Sequence, residues 1–285
     1  MNFLIYPLLM TIIGSADTVF EKYFYNKRTN KYKIFVPMVF ILAFLFLIIF
    51  FVPFLDHSVS SEAFTTIPLI FFFVMVSVAS VRNMLYYCSF QKEGLGDIEP
   101  FIVFAPLATV ILAGIVYPDE RKHPIILMLA LVASLALIFS HIRKRHLKFD
   151  KALMPMFSVI ILTAIENIIT KELLLNFSPI ALYTIRCFFI SLLLVIFVRP
   201  KFKELTRGDI KNLSIISFFW VLVMIFYYYA YQKVGIVYTE LIGSLAPVLI
   251  LIGSYLFLKD KSITKRNIVA LIVIIACVIA AQFIE

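Results

Sequence analysis

Tyr86-Tyr87-Cys88-Ser89-Phe90-Gln91-Lys92-Glu93-Gly94 returns further along the chain as Tyr227-Tyr228-Tyr229-Ala230-Tyr231-Gln232-Lys233-Val234-Gly235. The offset is 141 residues, and it also pairs Glu99 with Glu240, Ala105-Pro106 with Ala246-Pro247, and Asp119 with Asp260. Nearer the start of each half the offset is 149, which sets Asp17 on Glu166 and Lys22 on Lys171. Loops absorb such differences in length. Aligned Leu and Ile arise by chance between any two apolar segments. Polar landmarks recurring in the same order do not. The sequence therefore reads as two repeats, residues 1–150 and 151–285.

Around these landmarks the chain is a succession of apolar runs. Of its 285 residues 62% are hydrophobic, 30 are Phe, and the mean hydropathy is +1.01. A soluble core of this size has no room for so many apolar side chains, since soluble domains are about 45–50% apolar. A membrane-crossing helix needs about 20 apolar residues at 1.5 Å rise. Runs of that kind fall near 2–24, 34–54, 66–90, 98–117, 124–142, 153–173, 179–198, 213–233, 238–258 and 266–284. They do not alternate as barrel strands would, and backbone groups in hydrocarbon need partners within the segment, so the spans are helices. The fold class expected is an all-α integral membrane protein of ten transmembrane helices. Five helices is an odd number, so the second set enters from the opposite side. The two form an inverted repeat, an architecture that places substrate sites near the membrane midplane.

The formal net charge of +9 comes from basic residues in short stretches between the runs, such as His141-Ile142-Arg143-Lys144-Arg145-His146-Leu147-Lys148. We read these as topology signals, not as a nucleic-acid surface. Counted with Lys171, Lys233 and Arg266 at the span ends, the loops after helices one, three, five, seven and nine hold 19 Lys and Arg, and those after helices two, four, six and eight hold 4. Positive-inside reasoning puts the first set in the cytoplasm and both termini outside. Cys88, Cys187 and Cys277 lie in apolar runs without metal or disulfide spacing and read as small apolar fillers. No cofactor or metal is expected. The opening run carries Asp17, Glu21 and Lys22 near its far end, which suits a working helix better than a cleaved signal.

These residues resemble the drug/metabolite transporter superfamily, in particular its EamA-type ten-helix permeases. The resemblance rests on Ser178-Pro179 followed by Arg186, on Ala105-Pro106 and Ala246-Pro247, and on Glu120-Arg121, and it covers essentially the whole chain. The first half lacks the Pro/Arg pair, with Pro37 near the place of the Arg, and Asp260-Lys261 replaces Glu-Arg in the second half. The resemblance implies a secondary transporter in the plasma membrane of a prokaryotic cell, moving a small metabolite, such as an amino acid or another carboxylate or phosphate compound, by alternating access, with proton coupling as one option. It also implies cytoplasmic termini, against the charge count. The partners expected are a small-molecule substrate, the lipid bilayer and, as one option, a second copy of the chain.

Charged and polar residues inside the runs mark the candidate site. Arg82 lies deep in the third helix, four residues before Tyr86 and on the same face. An Arg at the membrane centre costs about 2.5–3.5 kcal/mol on insertion scales, so it should meet a partner or water. It reads either as a recognition group for a carboxylate or phosphate or as the partner of Asp17 or Glu166. Asp17 shares a helical face with Gly14 and Glu21, and Glu166 shares one with Thr163 and Thr170. These two stripes are expected to face each other across the pseudo-two-fold axis, binding substrate or coupling its movement to protons. The competing role is neutralisation by Arg82, Lys22 or Lys171 to fix packing. Tyr86 and Tyr227, at equivalent positions, read as interfacial anchors or cavity-lining groups. Pro106 and Pro247 fall inside spans, where a proline kinks a helix and serves either gating or packing. Arg186 reads as structural or functional. His57, His123, His141 and His146 sit in loops or at span ends.

No H-E-x-x-H or G-x-G-D stretch and no paired Asp cluster speaks for an enzyme, and a channel fits poorly with a duplication carrying central charges. A lipid or lipid-linked sugar flippase of the same fold is the alternative to a solute transporter.

Overall fold

The computed structural model describes residues 4–24, 32–93, 101–141, 154–258 and 265–283. Gly94, Glu99, Asp260, Lys261 and the basic residues after His141 lie outside them. The described chain is helical, apart from one isolated antiparallel bridge between Val59 and Phe177.

In the first half α1 is Ile5–Phe24, and α2 is Tyr32–Phe46, extended by a π-turn over Leu47–Phe51. Then follow α3, Thr66–Glu93, α4, Phe104–Val116, α5, Pro118–Arg121, and α6, Pro124–His141. In the second half α7 is Met154–Leu173, α8 Pro179–Val198 and α9 Arg207–Val234. The last helices are α10, Ile236–Gly243, α11, Ala246–Leu258, and α12, Lys265–Gln282. Five are long and apolar enough to cross a membrane: α2 with its π-turn, α3, α7, α8 and α9. The first helix, α1, is also 20 residues long but carries Asp17, Glu21 and Lys22 in its second half.

Two differences from the sequence expectation have local causes. The eighth expected run starts at 213, whereas α9 starts at Arg207. Thr206 explains this: its hydroxyl accepts from the amide of Asp209, and the Asp209 carboxylate accepts from the amide of Thr206. This capping box is worth about 1 kcal/mol and lets the helix begin among polar residues that hydropathy passes over. The fourth and ninth runs are interrupted, not bent. Pro106 and Pro247 stand in the first turns of α4 and α11, after breaks at Val103 and at Ser244–Leu245. A missing amide hydrogen costs nothing in a first turn, so proline restarts the helix there instead of kinking it.

Packing interlocks the halves. The first helix of each half lies against the third helix of the other, α1 on α9 and α7 on α3. Each also contacts the other half's fourth element, α1 on α10 and α11, and α7 on α4. The pairs α2–α8, α4–α10 and α6–α12 join equivalent elements, and α2–α9 mirrors α3–α8. Most contacts between helices therefore recur when the halves are exchanged.

Large apolar side chains cover the outside, among them Phe54, Phe139, Ile161 and Phe197. On a soluble protein so broad an apolar surface would be a liability; against lipid it has no cost. The interior holds the polar groups: Asp17, Glu21, Glu166, Asn167, Arg186 and Glu240 are all buried.

Candidate functional site: a guanidinium pair on one carboxylate

Glu166, near the middle of α7, is the hub. Arg82 reaches it from α3, with Nε donating to Oε2 at 2.6 Å. Arg186, on α8, donates its Nη2 to Oε1. Helix α7 presents Glu166 to both because it packs against α3, α4 and α9, with α8 against α3. The two arginines differ in setting. The Arg186 side chain is 2% exposed, its Nη1 donates to the Tyr228 hydroxyl at 2.7 Å, and its guanidinium lies 6.0 Å from the rings of Tyr183 and Tyr228. The Arg82 side chain is 18% exposed, and its two Nη groups make no hydrogen bond among the described residues. Two cations on one anion leave a surplus positive charge, and Arg82 is the member with free donors and access.

A second carboxylate lies beside this knot. Glu240 is in the last turn of α10, the short segment before the break. Its Oε1 accepts from the hydroxyls of Tyr227 and Tyr231, each at 2.7 Å, and from Asn167 Nδ2 at 3.5 Å. The two phenol oxygens also touch each other. The repeat flags Glu240 only as a landmark; the structure puts it in the site.

The first half holds a third group. Glu21 accepts from the Tyr87 hydroxyl at 2.9 Å, while Asp17 Oδ1 is sealed from solvent with no hydrogen-bond partner. The stripes of Asp17 and Glu166 engage different partners. Both are served by α3, which gives Tyr87 to one and Arg82 to the other. Thr170, expected in the site, turns its hydroxyl to Met75 Sδ at 3.5 Å. Tyr86 stacks edge-on against Tyr87, ring centroids 4.9 Å apart. Of the two candidate tyrosines, Tyr227 reaches a buried acid directly, and on α3 that part falls to Tyr87. Pro247 borders the break at Ser244–Leu245, where Ser15 of α1 donates to the Ala246 carbonyl at 3.2 Å. Pro106 opens α4, whose Thr109 accepts from Asn167 at 3.2 Å.

One end of the molecule is fastened shut. The Glu120 carboxylate receives Lys171 Nζ, the amide of Ile236 at 2.8 Å and that of Val237 at 3.2 Å. It thereby caps the N-terminus of α10, where amides lack partners and the helix dipole favours an anion. Lys171 also lies over the Tyr117 ring, 4.8 Å from its centroid. Gly235 makes this approach possible. Its φ is +86°, and a Cβ there would stand 2.7 Å from Glu120 Oε1. A cavity of about 290 Å³ opens beside the contact, lined in part by Lys171, Lys233, His123 and Tyr238. At the same end Ser60 donates its amide to Asn176 at 2.9 Å, and Ser178 donates its own to Ser58 at 3.0 Å. Just outside the spans, hydrogen bonds from the Ser58 amide and hydroxyl hold the Asp56 carboxyl below its ordinary range. The loops after the second, fourth, sixth and eighth expected spans, those with few Lys and Arg, thus meet at one face.

Residues 151–281 match the EamA-like transporter family. Over that stretch, which lies in the second half, the chain is similar to EamA-like transporters, a family of the drug/metabolite transporter superfamily. The match spans the half that holds Ser178-Pro179 and Arg186, and in the structure Arg186 is one arm of the knot. A solved structure titled only as the crystal structure of a protein is similar over 99% of this chain and 95% of its own, with a TM-score of 0.70 and 12% identity. At that identity the likeness is one of fold. No curated protein matches the sequence. With its apolar spans and its EamA-like stretch, the chain is an integral, multi-pass membrane protein.

Arg186, Tyr228, Glu240, Tyr231, Asn167 and Tyr87 are the members of these clusters absent from the sequence-based site. The signal for some was there. Arg186 is a charge in an apolar run, and Tyr87 and Tyr228 share the repeat offset. The spacing from Arg82 points to Tyr86, whereas Glu21 is met by Tyr87, a 100° turn further round the helix.

Proposed function

We propose that this EamA-like protein is a secondary transporter that moves a small metabolite with an anionic group across the membrane by alternating access. In this reading ten helices form two inverted five-helix repeats, with the substrate held between them. The observation that carries it is the Arg82–Glu166–Arg186 knot: an excess of guanidinium over carboxylate, inside a membrane domain, with its surplus donors on the more accessible arginine. A planar guanidinium matches a carboxylate or phosphate by two parallel hydrogen bonds, and in a low dielectric that match is strong. The exchange-symmetric packing supports the repeat, because alternating access in such folds rocks one repeat against the other.

The same geometry supports a division of labour between the acids. Glu166 is engaged by two cations and serves to hold Arg82 and Arg186 in place. Among the described residues Asp17 has no cation and no donor on Oδ1, and it is the group assigned here to proton coupling. The test uses purified protein in liposomes with pH and substrate gradients set separately. Uptake of an anionic metabolite, driven by pH in the wild type and reduced to exchange in Asp17→Asn, is the expected result. Scrambling of labelled lipid without solute flux would assign the flippase instead. Accumulation with unchanged pH dependence in Asp17→Asn would remove Asp17 from coupling.

A further inference from the structure

For a membrane protein α10 is a short element: eight residues, Ile236–Gly243, of which Ile236 to Ile242 are all buried. At 1.5 Å per residue it is roughly 12 Å long. Irregular backbone bounds it on both sides. Gly235 precedes it with a φ of +86°, and the break at Ser244–Leu245 follows it. Hydroxyls close the segment on itself. Thr239 donates to the Gly235 carbonyl at 2.6 Å, and Ser244, at the other end, donates to the Leu241 carbonyl at 2.6 Å. With these bonds inside the segment, none of them is lost when it tilts. α10 is therefore built to move as one piece, the backbone turning at Gly235 and at Ser244–Leu245.

Polar contacts tie this piece to its surroundings at two levels. At the rim the amides of Ile236 and Val237 go to Glu120, which also takes Lys171 of α7. One helical turn deeper, Glu240 takes Tyr227 and Tyr231 of α9 and Asn167 of α7. Ile236 and Glu240 are four residues apart on α10, and Lys171 and Asn167 are four apart on α7. Residues at that spacing share a helix face, about 6 Å apart along the axis. The two ties are thus set at the same separation on both helices. A rigid piece pinned at two points cannot leave one without straining the other. A shift of about 1 Å takes a 2.7 Å contact out of hydrogen-bonding range.

We propose that α10 couples the rim to the buried acid cluster. The face at Glu120 stays shut while Tyr227, Tyr231 and Asn167 hold Glu240, and loss of either set of bonds loosens the other. The use of such a link rests on the transporter reading, in which an event among buried polar groups decides whether a face is open. The link itself is a property of the folded chain.

The test measures opening, not transport. In the purified full chain with its native cysteines replaced, Ile126→Cys supplies a reporter thiol, since Ile126 is buried and lines the cavity beside Glu120. A second protein keeps Cys187 alone, a thiol sealed within α8, and reports general loosening. Both react with a water-soluble thiol reagent, at a rate that follows the population of the open form. Glu120→Gln removes the ionic contact at the rim and is expected to speed labelling at Ile126→Cys roughly fivefold, the effect of one lost hydrogen bond on a local opening. Tyr227→Phe with Tyr231→Phe leaves the rim as it is and takes two donors from Glu240. It is expected to give an acceleration of similar size at Ile126→Cys, with Cys187 unchanged. Added to Glu120→Gln, the tyrosine changes should do little more, because the face is already released. A wild-type rate at Ile126→Cys in the tyrosine variant would overturn the proposal. So would equal acceleration of both thiols, or a wild-type rate in Glu120→Gln. If the double tyrosine variant does not fold, Tyr231→Phe alone is held to the same criteria. The transporter reading is judged separately: the expected labelling without any solute uptake in liposomes would keep the link and remove that reading.

Discussion

Arg82 on α3 crosses from one half of the chain to the other to set its Nε 2.6 Å from Oε2 of Glu166 on α7. This single bond joins the repeats at the point where buried charge is concentrated. Arg186, on the opposite carboxylate oxygen, stays within the second half. The same acid therefore holds one arginine as part of its own repeat and one as a visitor.

That difference predicts unlike effects of the same substitution. Lysine keeps the charge and loses the fork of donors. Arg186→Lys strips donors from both Glu166 and the Tyr228 hydroxyl in a sealed site, and we expect a stability loss of roughly 1–3 kcal/mol, the cost of leaving a buried polar group unsatisfied. Arg82→Lys, with an accessible side chain, is expected to fold close to normally and to bind an anionic ligand at least tenfold more weakly. Thermal unfolding with and without ligand measures both. An equal loss of stability in the two variants would sink the distinction.

At the fastened face the prediction concerns Gly235 and Glu120. Gly235→Ala forces a side chain into a left-handed conformation and against the Glu120 carboxylate, and its cost is expected to be roughly 1–3 kcal/mol. In a Glu120→Ala background the contact is gone and only the backbone strain remains. A double-mutant cycle should then show Gly235→Ala to be less harmful when Glu120 is absent. Strict additivity of the two changes would mean that the close approach has no energetic weight.

Orientation follows from charge. The loop with Asp56 and His57 lies at the face poor in Lys and Arg, and Lys203 lies in a loop from the rich set. In a background without the native cysteines, a membrane-impermeant maleimide should label His57→Cys in intact cells and Lys203→Cys only after permeabilisation. The reverse pattern would favour the cytoplasmic termini that the family resemblance implies.

Hydropathy and repeat spacing made most helices legible, because a span has to be apolar over about 20 residues whatever surrounds it. The start of α9 was not, since Thr206 and Asp209 begin that helix by capping and not by hydrophobicity. Asp17, Arg82 and Glu166 were legible as candidates because charge in an apolar run is costly anywhere. Their pairing was not. Which helix faces which is decided by packing between distant segments, and spacing along the chain licenses Asp17 and Glu166 equally as partners of Arg82. Glu240 was visible only as a repeat landmark. Its role depends on Tyr227, Tyr231 and Asn167 converging from two other helices, and no local pattern encodes that convergence.

The face where Glu120 meets α10 has a second fastening of a different kind. Between Ser58–Ser60 and Asn176–Ser178 the chain is joined by backbone hydrogen bonds, with no ionisable group in the bonds themselves. Salt and competing ions act on the Glu120–Lys171 contact and leave the backbone seam untouched. If this face parts, it parts first along the ionic side and swings about the peptide side. The molecule has, in mechanical terms, a clasp and a hinge on one rim, and they can be loosened independently.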